Sequence, residues 1–219
     1  MPRIVVLPGK QVERMKLQIR QLQKKDHKKA IQFALKGMHF DWYLDNPFLL
    51  YLYGTYFWYM ELLRATQVIA VYAGKELAGV LLAEIYEEEK IDTSFGKKLY
   101  VRIFDFLQNL SYKGVGTYDN ANREMYALYR KRTTPDGELI FLAANPGIKI
   151  KGIGSLLLQE LECREPGKQV FLYTDNACTY QFYEHRGFQR VCEKEILLAL
   201  GKKEVPLECL LYAKTIPCL

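Results

Sequence analysis

The residues of this chain best suited to chemistry lie between 145 and 155, in a glycine-rich segment that separates two apolar runs. The run before it, Leu139 to Ala144, has the composition of a buried strand, and the run after it, Leu156 to Leu161, is typical of a helix. Gly152 and Gly154 permit a sharp turn and let a ligand approach the backbone closely. The first amides of a helix have no intrahelical acceptor and point their N–H groups outward. The segment therefore predicts an anion site at a helix N-terminus, with a phosphate group as its natural ligand.

Two well-known phosphate-binding motifs fit this segment poorly. Gly147 and Gly152 have the glycine spacing of a P-loop, G-x-x-x-x-G-K-S/T. The next two residues, Ile153 and Gly154, lack the amine and the hydroxyl that a P-loop offers to the γ-phosphate and to magnesium. A dinucleotide-binding G-x-G-x-x-G motif can start at Gly152, but it meets Leu157 at its third glycine, and no βαβ unit begins the chain. The segment therefore argues against a P-loop and supports a dinucleotide site only weakly.

A third pattern fits the segment, and a second motif downstream supports it. After a predicted strand and Pro146, the residues Lys149-Ile150-Lys151-Gly152-Ile153-Gly154 resemble the R/Q-x-x-G-x-G/A segment of the GCN5-related N-acetyltransferase (GNAT) superfamily. The downstream motif resembles N-x-x-A/T-x-x-F/L-Y-x-x-x-G-F and consists of Asn176, Thr179, Phe182, Tyr183, Gly187 and Phe188. Two motifs in this order and at about this separation are specific together. The resemblance covers residues 17 to 215 and is firmest from 138 to 188.

That resemblance implies the fold class. It is an α/β (α+β) fold, the GNAT acyl-CoA N-acyltransferase fold, in which a central, mixed but mostly antiparallel, twisted sheet of about six or seven strands is flanked by helices. A helical insertion at about residues 90–137 is expected before the cofactor-binding strand. Because 219 residues suit one core better than two, we expect a single N-acetyltransferase domain over residues 17–219, after an N-terminal extension over residues 1–16.

The resemblance also implies an activity, the transfer of an acetyl group from acetyl-CoA (coenzyme A) to a primary amine of a small molecule or peptide by direct attack on the thioester. In the superfamily the backbone at Leu142 and Ala144 pairs with the pantetheine arm, and an amide near Ala143 faces the thioester oxygen. Asn176 is expected to fix the arm, to cap a helix, or both. The expected cofactor-binding residues are Leu142, Ala143, Ala144, Lys149, Ile150, Lys151, Gly152, Ile153, Gly154, Ser155, Asn176 and Tyr183. A non-catalytic acyl-CoA sensor or interaction module is the alternative.

The transfer needs an acid and a base. Tyr183 matches the tyrosine that serves many superfamily members as general acid. A phenol of pKa ~10 can act as that acid, because it can protonate an adjacent thiolate of pKa about 8.5. Simple core packing is the alternative in a chain with 16 tyrosines. A lysine-like amine of pKa about 10.4 costs roughly 4.6 kcal/mol to neutralise at pH 7, so a carboxylate base is expected. Glu138, at the start of the cofactor strand, and Glu84, on the preceding hairpin, are the candidates.

The composition limits the remaining classes of function. The formal charge of +6, from 31 Lys and Arg against 25 Asp and Glu, comes from scattered basic groups, which favours a polyanionic cofactor and no nucleic acid partner. Five cysteines without a C-x-x-C pair favour a reducing cytoplasm, and three histidines without a ligand cluster predict no metal. The apolar stretch over residues 48–63 is too interrupted to span a membrane. We therefore expect a cytoplasmic monomer or homodimer without a membrane partner.

The elements that position the two motifs follow from periodicity and turn residues. Strands are predicted at 19–22, 68–72, 77–86, 139–144, 170–176, 189–200 and 205–213. Helices are predicted after Asp26, from Asn46-Pro47 to residue 63, over 99–110 and 124–129, and from residue 156. Asp26 and Asn46 are placed to cap their helices. The aromatic residues between 42 and 59 are expected to pack in the core or to line an acceptor pocket.

Overall fold

The fold is built on one sheet. The computed structural model describes residues 3–5, 17–38, 40, 45–111, 116–200 and 203–218. Its strands are β1 (Arg3–Val5), β2 (Leu17–Arg20), β3 (Gln67–Ala73), β4 (Glu76–Ile85), β5 (Gly137–Ala144), β6 (Gln169–Asp175), β7 (Gln189–Leu200) and β8 (Lys203–Thr215). They lie in the order β1-β2-β3-β4-β5-β6-β8-β7, and each neighbouring pair is antiparallel except β5 and β6. The predicted mixed, mostly antiparallel sheet is confirmed, and β1, from the predicted extension, brings it to eight strands in the described residues.

Helices cover both faces of the sheet. They are α1 (His27–Gly37), α2 (Pro47–Arg64), α3 (Phe95–Ser111), α4 (Gly116–Arg130), α5 (Ile153–Arg164) and the short α6 (Gln181–Glu184). Successive strand residues point to opposite faces: Val170 and Leu172 of β6 pack under α5, whereas Phe171 packs under α4. Glu138 of β5 is paired with Phe171 and contacts Arg64 of α2. α2 and α4 therefore share one face, and α5 covers the other.

Two predicted helix starts differ in how they are capped. Asn46 Oδ1 accepts a hydrogen bond from the amide of Phe48 at 2.9 Å, and Pro47 occupies the first turn of α2, as predicted. Asp26 precedes α1 but makes no capping bond. Its carboxylate accepts a hydrogen bond from the Tyr72 hydroxyl at 2.8 Å instead. Asp26 therefore lies at the predicted N-cap position of α1, but its side chain bonds to β3 and not to the helix amides.

The predicted helical insertion is confirmed as α3 and α4, which lie between β4 and β5. α3 packs on α2, and α4 packs on β7 and β8. Both helices extend beyond the amphipathic segments that predicted them, because their end turns contain too few apolar residues to show the period. α4 buries Met125 and Tyr129 in the core that contains Phe171. The insertion therefore lies on the α2 side of the sheet, where α4 covers β6, β7 and β8.

The aromatic residues between 42 and 59 divide by exposure. Phe57 and Trp58 of α2 are buried in the core that α1 and α2 form with the sheet, whereas Phe48 is 68% exposed. Trp42 and Tyr43 lie outside the described residues. No helix in the described part of the chain is long and apolar enough to cross a membrane.

Candidate active site

β5 and β6 diverge near the middle of the sheet. The two parallel strands are paired only over their first residues, up to Glu138 and Phe171. Beyond these residues β5 follows β4 as far as Ala144, and β6 follows β8 as far as Asp175. Both strands are described throughout, and residues 139–144 of β5 have no partner in β6. We call this gap the β5–β6 opening; its free backbone groups can pair with an extended ligand as a further strand would.

A bulge lies at the start of the opening. The register of β4 against β5 shifts between Leu82 and Ala83, so Ile140 is left as the extra residue of β5. A bulge disrupts the ladder and re-aims the backbone around it. The predicted cofactor-binding residues 142–144 follow directly and lie along the opening. The bulge therefore re-aims their backbone groups relative to residues 137–139 of β5.

The turn after β5 is anchored to β4 by Asn145, which the motif comparison did not single out. Asn145 is 8% exposed. Its amide donates to the carbonyl of Ala78 at 2.7 Å, and its Nδ2 donates to the carbonyl of Leu77 at 3.2 Å. Its Oδ1 accepts from the amide of Gly147 at 2.9 Å, which closes an Asx turn. Asn145 therefore sets the direction in which the chain leaves the opening towards α5.

α5 begins with free amides. Gly152 precedes it with φ +89°, a left-handed conformation that favours glycine, and no side chain caps the helix. The first intrahelical bond runs from the amide of Leu156 to the carbonyl of Gly152 at 2.9 Å. The amides of residues 153–155 therefore lack an intrahelical acceptor, and the helix dipole adds partial positive charge there. This geometry suits an anion.

The two sequence motifs meet at this helix start. A Cβ atom on Gly154 would lie 3.1 Å from Cζ of Phe182 and 3.5 Å from Cδ2 of Leu142. A side chain at Gly154 would therefore press on the Phe182 ring. Phe182 belongs to the downstream motif and Gly154 to the upstream one, so the motifs are in direct contact in the fold.

Arg186 adds a cation beside the same helix start. Its Nη2 hydrogen-bonds to Ser155 Oγ, and its guanidinium lies 5.8 Å from the centroid of the Phe182 ring. Arg186 is exposed, as are Lys149 and Lys151 of the turn. Ser155 and the two lysines belong to the predicted site, but Arg186 was not predicted, because a contact across 31 residues leaves no local pattern. Together the three cations suit a polyanionic ligand.

Tyr183 packs against the core under α5. Its ring lies edge-on to Phe182 and Phe188, with centroids 5.3 and 5.8 Å away. Among the described residues, none forms a hydrogen bond with its hydroxyl. Burial, with a smaller effect of Cys178, raises the pKa of Tyr183 above its usual value. The hydroxyl therefore stays protonated at neutral pH and is available as a donor.

Asn176 lies directly after β6, and its contact with the cofactor arm stays a prediction. Its Oδ1 accepts from the amide of Glu208 at 3.2 Å, and Glu208 lies on β8, across β6 from β5. α6 begins at Gln181, directly after Tyr180, so the alternative that Asn176 caps this helix is wrong. The side chain instead ties the end of β6 to β8.

Arg64 gathers three carboxylates on the α2 face, where β5 begins. Its Nη1 donates to Glu61 at 3.2 Å. Its Nη2 donates to Glu84 at 3.0 Å and to Glu138 at 2.5 Å. Glu84 also accepts from Lys90 at 2.5 Å. The structure thus brings together both carboxylates that were predicted as bases, and it adds Arg64 and Glu61, which have no motif of their own.

The three carboxylates differ in their affinity for a proton. Burial raises the pKa of Glu138, although Arg64 opposes the shift. At Glu84 the effect of burial is outweighed by hydrogen bonds from Lys90 and Arg64, which lower its pKa. Burial raises the pKa of Glu61 to about 7. Of the two predicted bases, Glu138 therefore holds a proton more strongly, and it lies where the opening starts.

Tyr173 of β6 and Tyr86, directly after β4, lie within electrostatic range of Glu138. Burial, with contributions from Glu138 and Tyr126, raises the pKa of Tyr173 on β6. The hydroxyls of Tyr86 and Tyr126 are 3.2 Å apart, and burial together with this contact raises the pKa of Tyr86. Tyr126 belongs to α4. The insertion therefore forms part of the surroundings of Glu138.

Comparison with known proteins by sequence finds no matching family and no matching curated protein. Solved structures share the architecture. The histone acetyltransferase HPA2 and related acetyltransferase from Corynebacterium glutamicum superposes with a TM-score of 0.54 and 12% identity over 92% of this chain and 96% of that chain. The ribosomal-protein-S18-alanine N-acetyltransferase from Escherichia coli gives 0.50 and 13% over 93% and 96%. The C-terminal condensation domain of Ebony, in complex with beta-alanyl-dopamine, gives 0.54 and 12% over 92% and 100%.

These superpositions extend over nearly the whole chain, so the likeness is not confined to the two motifs. At 12 to 13% identity the likeness is one of fold. It agrees with the resemblance that the glycine turn and the tyrosine motif carry in the sequence. The chain has the fold of the GCN5-related N-acetyltransferase superfamily.

Proposed function

We propose that this protein is an N-acetyltransferase that takes an acetyl group from acetyl-CoA and passes it to a primary amine of a small molecule or peptide. The observation that carries the proposal is the β5–β6 opening, which leads from Glu138 to the free amides of α5. The opening suits an extended arm, and the start of α5 suits phosphate. A carboxylate at one end and a phenol in the adjoining motif supply the proton acceptor and donor that acyl transfer to an amine requires.

The residues present fit acetyl-CoA. The backbone of Leu142 and Ala144 lies along the opening and is available to the pantetheine arm. The amides of residues 150–155 are available to the pyrophosphate, with Arg186 and Lys149 adding positive charge. When bound, acetyl-CoA supplies an acetyl group that is activated as a thioester.

Glu138 is the proposed general base. Its raised pKa brings its proton affinity closer to neutral pH, where a base works best. Glu84 is the weaker base because Lys90 and Arg64 stabilise its charge. Arg64 holds the Glu138 carboxylate through one hydrogen bond of 2.5 Å, which leaves its other oxygen for the amine or for a water molecule between them.

Tyr183 is the proposed general acid. Its hydroxyl keeps its proton at neutral pH, because burial raises its pKa. The packing of its ring on Phe182 and Phe188 fixes the direction of the hydroxyl. A positioned phenol of this kind donates its proton to an anion that develops beside it.

The acceptor is proposed to approach from the face of the sheet that carries α2 and α4, because Glu138 lies on that face. Tyr86 and Tyr173 lie within electrostatic range of the carboxylate there, and the Tyr126 hydroxyl contacts that of Tyr86. Aromatic walls beside a carboxylate suit an amine attached to an apolar or aromatic group.

An acetyl-transfer assay tests the proposal. Purified protein is incubated with acetyl-CoA and a panel of small amines and peptides, and the release of free thiol is measured. We expect Tyr183→Phe to lower kcat about 100-fold while the affinity for CoA, measured by calorimetry, stays within about twofold. Tyr180→Phe, three residues earlier in the same motif, is the control and should keep the wild-type kcat.

Two outcomes would contradict the proposal. An unchanged kcat in Tyr183→Phe removes this residue from the mechanism. Tight binding of CoA without turnover on any amine of the panel would mean that the fold serves a non-catalytic acyl-CoA module instead.

A further inference from the structure

α3 exposes an apolar strip that the proposed acetyl transfer does not use. Its members are Phe95 (75% exposed), Leu99 (46%), Ile103 (52%), Phe106 (64%) and Leu107 (53%). At 3.6 residues per turn they lie within an arc of about 120° on one side of the helix. Monomeric soluble proteins rarely expose a contiguous strip of this size without a partner. We call these five residues the α3 strip.

The opposite side of α3 is already occupied by α2. The Tyr100 hydroxyl donates to the carbonyl of Leu52 at 3.1 Å, and Phe104 stacks on Tyr56 with centroids 4.6 Å apart. α2 is the element against which α3 chiefly packs. The α3 strip is therefore a second apolar face that the described fold does not cover.

The charges on the exposed side of α3 are all positive. Over residues 95–108, whose side chains are described, the exposed residues outside the strip are Gly96, Lys98 and Arg102. Neither basic residue forms an ion pair within the described part of the chain. The one acidic residue of this range, Asp105, lies on the packed side and accepts a hydrogen bond from the Tyr56 hydroxyl at 2.6 Å.

We propose that α3 binds the surface of an anionic lipid bilayer. The α3 strip enters the boundary between headgroups and acyl chains, and Lys98 and Arg102 at its edge contact lipid phosphates. An apolar face bordered by basic residues is the pattern of helices that lie in the plane of a membrane, and each such cation near an anionic leaflet strengthens binding. The proposal departs from the expectation of no membrane partner. That expectation rested on the lack of a spanning segment, and a helix that lies in the plane of the membrane does not need to span it.

A second copy of the chain fits this surface less well. Pairing two α3 strips would bring Lys98 and Arg102 of each copy to an interface whose exposed α3 residues contain no carboxylate. Burying cations without partners is costly. An anionic lipid surface satisfies the apolar and the basic residues at once, and the formal charge of +6 acts in the same direction.

Vesicle flotation of the full chain tests the proposal. We expect the protein to float with vesicles of phosphatidylcholine and phosphatidylglycerol, to float weakly with pure phosphatidylcholine, and to bind less as salt is added. The double variant Phe95→Ser, Phe106→Ser should reduce partitioning at least about tenfold. Lys98→Gln, Arg102→Gln should reduce it on anionic vesicles alone.

Leu128→Ser, Leu197→Ser is the matched control, because both residues are exposed (53% and 60%) but lie on α4 and β7. This control should float like the wild type. All six altered side chains are exposed, so each variant should keep the wild-type melting temperature.

Failure of the wild type to float, or equal loss in the control, overturns the proposal. A dimer in sedimentation that Phe95→Ser, Phe106→Ser dissociates, without vesicle binding, would assign the strip to a second copy.

Discussion

At the scale of single residues, Glu84 and Glu138 are paired neighbours on β4 and β5, yet their proton affinities shift in opposite directions. The difference arises from burial, which is deeper at Glu138 and raises its pKa, and from Lys90, which contacts Glu84 and not Glu138. Both carboxylates share Arg64, so this common partner does not distinguish them. These paired neighbours therefore differ in burial and in ion pairing, which makes the pair a sensitive test of the proposed base.

We expect Glu138→Gln to lower kcat at least about 100-fold, because an amide cannot accept the proton although it can still accept a hydrogen bond from Arg64. Glu84→Gln should lower kcat by less than about fivefold. In the wild type kcat should rise with pH through a pKa above the usual 4.5 of a glutamate, because only the ionised Glu138 acts as base. This rise should be missing in Glu138→Gln. Steady-state rates across pH measure both effects.

Equal losses in the two variants would contradict the assignment to Glu138. They would indicate that the reaction depends on the ion-pair network around Arg64 as a whole. Arg64→Lys helps to distinguish a role of Glu138 as base from dependence on the whole ion-pair network. The variant disrupts that network, because a lysine cannot donate hydrogen bonds to three carboxylates in the geometry of a guanidinium.

Sequence patterns identify some of these residues and not others. Tyr183 is found because it lies in a motif with fixed local spacing, and Glu138 because it starts the strand that leads to the glycine turn. Beyond its i, i+3 pair with Glu61, Arg64 leaves no local signal, because Glu84 and Glu138 are 20 and 74 residues away in the chain. The assignment of Glu138 over Glu84 depends on the burial of Glu138 and on the contact of Lys90 with Glu84, and only the folded structure reveals both.

At the scale of elements, the start of α5 joins the two motifs. Gly154 leaves room for Phe182, and Phe182 in turn supports the guanidinium of Arg186, which reaches Ser155. The free amides are a property of the helix, whereas the added cation comes from the segment after α6. Affinity for a polyanionic ligand should therefore depend on residues from both motifs.

We expect Arg186→Gln to weaken CoA binding about three- to tenfold and to reduce its salt dependence, because one cation near the phosphates is lost. Arg186→Lys should lie between the variant and the wild type, since it keeps the charge without the planar fork. Arg132→Gln, an exposed cation before β5, is the control. Calorimetry at two salt concentrations measures the affinities, and an Arg186→Gln variant that binds as tightly as the wild type would exclude this role.

The sequence predicts the helices and strands better than it predicts the β5–β6 opening. Periodicity and the Asn46 cap place α2 within one residue of its observed end at Arg64. The β5–β6 opening and the bulge at Ile140 were not predicted from periodicity, because both depend on the register between strands that are distant in sequence. β1 was missed because a strand of three residues gives no period, and its existence depends on pairing with the edge of β2.

At the scale of the whole molecule, the sheet separates the two halves of the proposed chemistry. The anion site belongs to α5 on one face, and the carboxylates around Arg64 belong to the other face. The β5–β6 opening is where the two faces meet. This arrangement concentrates three buried or half-buried carboxylates on one arginine, which should make the stability of the fold depend on pH.

Glu61 carries the largest part of that dependence. Burial raises its pKa from 4.5 to about 7 in the folded protein, so the folded state binds a proton more readily than the unfolded state. The free energy of unfolding should therefore fall as pH rises from about 4.5 through about 7, by about 3 kcal/mol from this group. The raised pKa of Glu138 acts in the same direction, and the lowered pKa of Glu84 acts against it.

Glu61→Gln should remove this dependence, because glutamine does not ionise and can still accept a hydrogen bond from Arg64. The variant should become more stable relative to the wild type as pH rises from about 5 to about 8. Urea unfolding at a series of pH values measures the difference, with the exposed Glu89→Gln as control. If Glu61→Gln and the wild type lose stability in parallel over this range, then Glu61 is already ionised in the folded protein, and Arg64 stabilises its charge more than burial opposes it.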